Sequence, residues 1–279
     1  MRILSKAAYI TISLVLMGGL FTAFSKPAQA VQTQHLSYSV YSGGLNVVAA
    51  NMDLQVENNK YLASVSAKTH GFLGKLAPWS GTFESNGRVK NGQFFPNLHH
   101  SVAIWRGEDD EKKYDYDGKG NLTNYLEIEA GKTKPKKDLE TALIQDTTDI
   151  LSATLKVMHS MGNGEACDSS EDIFDGKRRF ALTFNPVSET VLKSSRYNIF
   201  DGVAKKCEVM IEPKGGKWHA KPRGWLSIQE QGLKHGARPT IWLGKLDSSD
   251  LFVPVKVQIK TSYGTLLMHL TESRVSGIK

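Results

Sequence analysis

Apolar side chains return at every second position through the first strand-length segments of this chain. Leu36, Tyr38 and Val40 alternate with polar neighbours before the turn Ser42-Gly43-Gly44. Met52, Leu54 and Val56 repeat the pattern, and Tyr61, Ala63, Val65 and Ala67 take it up again after Glu57-Asn58-Asn59-Lys60. A period of two puts one set of side chains on one face of a sheet. The separating turns are too short for the crossover that a parallel pair needs, so the segments predict an antiparallel meander.

The same signal runs on. Gly81 to Glu84, Leu98 to Arg106, Tyr114 to Tyr116 and Leu122 to Ile128 read as strands, with an acidic turn at Glu108 to Glu111 and another at Asp117 to Gly120. Glu129 to Asp138 is basic, polar and broken by Pro135, which predicts an exposed loop. One convincing helix follows, near residues 147–161. Asp146 or Thr147 is placed to cap it, Ile150, Leu151, Leu155, Met158 and Met161 form its apolar stripe, and Gly162 stops it. Strands resume at Phe180 to Phe184, Tyr197, Cys207 to Ile211 and Trp225 to Ile228. Val253 to Thr261 and Thr265 to Thr271 flank Ser262-Tyr263-Gly264 as a hairpin. The fold class expected is mainly β: a curved antiparallel sheet or open β-barrel with one packed helix, in a single unit over residues 31–279.

Residues 1–30 are set apart from that unit. Arg2 and Lys6 open a cationic start, Ala7 to Phe24 is free of charge, and Ala28-Gln29-Ala30 has small residues at both ends. This is the order of a secretory signal peptide with cleavage after Ala30. The alternative is an uncleaved anchor, since the apolar run is near the lower limit for crossing a bilayer about 30 Å thick. Without Arg2, Lys6 and Lys26 the balance is 32 cations against 28 acids, or +4 rather than +7. So small an excess does not suit a nucleic-acid partner. The expected location is a bacterial periplasm, with no stable transmembrane segment once the leader is removed.

Chemistry is sparse. Cys167 and Cys207 are the two thiols of the chain, and in an exported protein they predict a structural disulfide. No Cys-x-x-Cys, His-x-x-x-His, Gly-x-Ser-x-Gly, Walker loop or dinucleotide fingerprint occurs, so no metal, cofactor or catalytic residue is assigned. His99 and His100 are adjacent and, on a strand, point to opposite faces. Asp146 and Asp149 are read as N-terminal helix residues complementing its dipole. The segment from His70 to Trp79 is different, because Phe72, Leu73, Leu76 and Trp79 make a Gly-flanked connection unusually apolar. It either caps the end of a barrel or lines the mouth of a ligand cavity. Trp218, Trp225 and Trp242 add aromatic area that suits core or site equally.

Several short motifs together resemble the DUF3108-like family of Gram-negative periplasmic β-rich proteins, a domain of unknown function. They are Tyr38 to Leu45, Thr69-His-Gly-Phe72, Ser85-Asn-Gly87, Phe95-Pro96, Asp146 to Ser152, Asp175 to Phe180 and Val253 to Val257 with Gly264. The resemblance implies location and an antiparallel β fold with a helix, and it carries over no catalytic residue. The reading is a non-enzymatic periplasmic protein supporting the cell envelope, which binds an amphiphile or acylated partner such as a lipid or lipoprotein. The alternatives are an envelope hydrolase with a site assembled from dispersed residues, and a purely structural or protein-binding module.

Overall fold

The structure is a computed structural model that describes residues 32–57, 59–134, 139–218, 225–234, 236–247, 250–261 and 264–277. The expected signal peptide with its cleavage point at Ala30, the loop residue Pro135 and the expected turn at Ser262-Tyr263 lie outside them. The alternating segments form β1 (Thr33–Ser42), β2 (Leu45–Glu57) and β3 (Lys60–Thr69), and the apolar connection is a short helix, α1 (Gly71–Leu76). The meander continues through β4 (Trp79–Lys90), β5 (Gln93–Trp105), β6 (Glu108–Tyr116), β7 (Leu122–Glu129) and β8 (Lys132–Thr133). Next come α2 (Thr141–Ile144) and α3 (Ile150–Gly162). A second meander follows: β9 (Ser169–Phe174), β10 (Arg178–Leu192), β11 (Gly202–Gly216), β12 (Thr240–Lys245), β13 (Phe252–Thr261) and β14 (Gly264–Ser276). Between β11 and β12 lies α4 (Trp225–Lys234).

Both meanders belong to one fourteen-stranded antiparallel sheet, because β1 pairs with β14 from Thr33↔Ser276 to Ser42↔Leu266. Its free edges are β8 and β9. The sheet curls until strands far apart in its order, including β3, β5, β9 and β13, all touch α3. Strands β6 and β7 then meet the β9 end of the sheet through side chains. Tyr114 and Tyr125 pack on Phe174 with ring centres 6.2 and 6.0 Å apart, and Lys177 pairs with Glu127 at 2.9 Å. Gly176 turns β9 into β10 with φ +92°, and a Cβ there would stand 2.3 Å from the Tyr125 hydroxyl, so this seam requires glycine.

Asp149 caps α3, in place of Asp146 or Thr147. Its extended backbone lets the carboxylate accept from the N–H groups of Leu151 and Ser152, whereas Asp146 is left-handed at φ +54° and Thr147 donates to the Ile144 carbonyl. Leu155, Val157, Met158 and Met161 are fully buried inside the curl. Gly162 is the last helical residue, and a Cβ on it would lie 2.1 Å from the Asp250 carbonyl oxygen, which fixes the helix end against the β12–β13 connection.

Other expectations shift. Trp225 to Ile228 lies in α4, not in a strand; its apolar residues recur at helical steps, and Gln229 pairs through its amide with both backbone groups of Ile211. The acidic run belongs to β6, because Arg106 and Gly107 supply the two left-handed residues of a tight hairpin turn. Glu129 ends β7 and the short β8 returns beside it, so part of the expected loop is hairpin. Tyr197 sits in the irregular connection between β10 and β11. Cys207 lies inside β11 instead of at its start, and it is bonded to Cys167 with Cα atoms 6.5 Å apart.

Candidate functional site

Helix α3 fills only part of the curl. Its C-terminal half packs toward the Gln93 end of β5, where the His159 and Phe94 rings are 5.5 Å apart. Beyond its N-terminus, toward the Arg106-Gly107 and Gly176 turns, the strands enclose a chamber of about 460 Å³. Ligand sites span roughly 300–1,000 Å³ and are mostly apolar. Ile150, at the start of α3, borders the chamber and is 43% exposed.

The two meanders line it differently. On the β9–β13 side the period of two sends Phe180, Leu182 and Phe184 inward from β10, joined by Ile211, Ile241 and Val257. On the β4–β6 side Phe83 is followed by His99, Ser101, Lys112 and Tyr114. Cross-strand register makes these rows: Ser85, His99 and Tyr114 are successive partners, and so are Phe83, Ser101 and Lys112. Trp218 closes one side, its indole donating to the Gly215 carbonyl and the Arg178 guanidinium lying 4.8 Å from its ring.

The floor is a buried polar cluster. Asp149 accepts from the hydroxyls of Ser85 and Ser152, each at 2.6 Å, and the Tyr61 hydroxyl meets Ser152 at 2.6 Å. Because Ser85 gives its proton to Asp149, it accepts from Nδ1 of His99 at 2.7 Å, which assigns the hydrogen to Nδ1. Burial by itself would raise the Asp149 carboxyl; hydrogen bonding and charge from His99, with the Ser152 and Ser85 hydrogen bonds, hold it below the usual carboxylate value.

Serine, histidine and aspartate side by side invite comparison with a hydrolytic triad, and the geometry differs from one. A triad needs opposite ring nitrogens facing serine and aspartate. Here Nδ1 faces both, with Asp149 Oδ1 at 3.3 Å, and Ser85 is fully buried. The hydroxyl donates to the carboxylate instead of to the imidazole, and its full burial leaves no room for a substrate carbonyl. The cluster fastens α3 to β3, β4 and β5.

The residues singled out in the apolar connection lie on the chamber's end of the sheet but not in its lining. Phe72 and Leu76 are 71% and 60% exposed, Leu73 is half-buried, and none of the three borders the chamber. Trp79 borders a shallower depression with Ile104 and Gly107. Its ring and that of the chamber residue Phe83 close over Gly81, where a Cβ would stand 2.9 Å from each. Sequence reasoning missed Phe83, Ser101, Lys112 and the β10 stripe as a site. The alternation of Phe180, Leu182 and Phe184 was the available signal, and it reads equally well as solid core. Of the tryptophans, Trp218 reaches the chamber, while Trp242 is buried with Lys256 4.6 Å above its ring.

The fold and its interior therefore define an open, barrel-like β protein with an apolar chamber beside a helical plug. The chain belongs to the family described as "Protein of unknown function (DUF3108)", which matches residues 37–271. A crystal structure titled as a beta-barrel-like protein of domain of unknown function DUF1849 from Brucella abortus is similar at 8% identity and a TM-score of 0.44, covering 88% of this chain and 98% of that one. No curated protein matches the sequence.

Proposed function

We propose that this chain is an exported, non-enzymatic protein of the cell envelope whose chamber shelters the apolar part of an amphiphile. The observation that carries this reading is the 460 Å³ of space between an aromatic and aliphatic wall on β10–β13 and a partly polar wall on β5 and β6. A core closes such space when nothing occupies it, because unfilled volume costs packing energy. The polar wall gives a headgroup somewhere to point. The leader-like first thirty residues support export, and the Cys167–Cys207 bond suits an oxidising compartment.

The test is native mass spectrometry and solvent extraction of the full-length gene product recovered from its own cells, with displacement of a fluorescent acyl probe by candidate ligands. One retained amphiphile per chain is expected, together with probe binding that Leu182→Trp abolishes while the circular dichroism spectrum is unchanged. A folded protein that retains nothing and binds no probe would overturn the reading. Recovery of an acylated protein instead of a free amphiphile would reassign the occupant to a lipoprotein's acyl group.

A further inference from the structure

We infer that the chamber reads a carboxylate through Lys112, so that its ligand is a single-chain fatty acid; this rests on the amphiphile reading above. Lys112 stands on the inward row of β6 next to Ser101 of β5, and both border the chamber. Its ammonium donates to the Asp175 carbonyl oxygen at 3.0 Å. Among the described residues no carboxylate lies within ion-pair distance of it, unlike its neighbours. Lys177 is paired with Glu127 at 2.9 Å, and the Asp175 carboxylate is taken by the Arg178 guanidinium and by the N–H groups of Lys177 and Arg178. An ammonium has three donors, so Lys112 keeps two in reserve.

The surroundings favour an anion there. Burial is the largest influence on the Lys112 pKa and lowers it; the Asp175 and Glu127 carboxylates pull the other way, but each is itself paired, with Arg178 and Lys177, whose charges also act on Lys112. The Ser101 hydroxyl has no hydrogen-bond partner among the described residues and can add one donor. Asp149, the acid on the floor, has its oxygens engaged by hydroxyls, backbone N–H groups and His99. One ammonium with two spare donors and one hydroxyl suit a singly charged carboxylate. Phosphate is commonly held by an arginine fork, and the fork of Arg178 is already engaged by Asp175.

The experiment compares palmitic acid with methyl palmitate by displacement of a fluorescent acyl probe from delipidated mature protein at neutral pH. The parent should bind the acid roughly tenfold or more tightly than the ester, as a charge-assisted hydrogen bond implies. Lys112→Met should equalise the two while keeping ester binding, and Lys112→Arg should keep the preference. Equal binding of acid and ester by the parent would overturn the carboxylate assignment and leave the amphiphile reading standing. Binding of neither by a folded parent would remove both. Because the parent's own selectivity decides the matter, a poorly folding Lys112→Met does not stall the test. A preference that survives Lys112→Met in folded protein would place the headgroup elsewhere and sink the assignment.

Discussion

At the end of the curl near Phe94 and Asp250, α3 presses Leu155, Met158 and Met161 into the strands and leaves them fully buried. At the end near Arg106 and Gly176 the same strands run on past the start of α3, and they border the chamber. Inward residues at both ends are large and apolar, so composition does not separate plug from hollow. The separation comes from where α3 begins. Asp149 stops the helix short by binding Ser85 and His99 in the middle of β4 and β5. One buried carboxylate thus divides a packed half from an open one.

Removing that carboxylate is the strongest way to break the contrast. Asp149→Ala takes the acceptor from Ser85, Ser152 and two backbone N–H groups and leaves His99 facing a void. A loss of about 3–5 kcal/mol in chemical denaturation is expected, as when one partner of a buried polar pair is deleted. The acid has a second signature. Its folded pKa lies below its unfolded value near 3.8, so its contribution is fully present above about pH 4. That contribution is lost as the pH falls through the folded pKa. Stability measured between pH 6 and 3 should therefore decline less steeply in Asp149→Asn than in the parent; identical slopes would show that the carboxylate does not anchor the helix.

Next in size is the covalent tie between the halves. Cys167 follows the plugged end of α3, and Cys207 belongs to the strand that also supplies Ile211 to the chamber. Opening a forty-residue loop by Cys207→Ser should cost about 3–4 kcal/mol on the chain-entropy estimate. Thermal unfolding of the variant, and of the parent with and without reductant, measures it. Free labelling of both thiols in the native protein would contradict the bond.

How far these features were legible differs between the two ends. The meander, the helix expected near residues 147–161 and found at 150–162, and the Cys167–Cys207 pair could be read from alternation, helical spacing and thiol count. Asp149 was legible only as a helix-start residue. Its partners Ser85 and His99 are 64 and 50 positions away, and adjacency across strands depends on register that no local pattern states. The chamber was illegible for a related reason: Phe180, Leu182 and Phe184 look the same facing a helix or facing space. The segment from His70 to Trp79 drew notice because it is apolar, yet apolarity in a connection marks only a departure from habit. The misread α4 shows the same limit, since a short apolar run around Trp225 fits either period.

Insertion sharpens the contrast more finely than deletion. Ala153 is fully buried in α3, so Ala153→Leu must push neighbours aside and should cost about 1–3 kcal/mol. Ile241 faces the chamber, and Ile241→Phe adds volume where there is room. It should change stability by less than about 1 kcal/mol, because filling a void restores contacts instead of straining them. It should also weaken acyl-probe binding, which Ala153→Leu should leave intact in the folded fraction. Equal costs at both positions would mean that the chamber collapses in solution.

The smallest effect is expected at the apolar connection, and it separates two readings of that segment. If α1 capped the core, truncating Leu76 would cost about 2–5 kcal/mol, as for any large side chain removed from full burial. In the structure Phe72 and Leu76 stand mostly in solvent, one helical turn apart, so Phe72→Ser and Leu76→Ser should each fall within about 0.5 kcal/mol of the parent. Trp79 is half-buried with its ring packed over Gly81, and Trp79→Ser should cost more than either. Urea midpoints for the three variants test the order. Acyl-probe affinity then decides what the exposed pair does. Unchanged affinity would confine binding to the chamber, whereas weakened affinity with unchanged stability would extend the site from Phe83 past Gly81 and Trp79 to the rim. A large stability loss at Leu76 would instead restore the capping role and show that α1 folds down over the open end.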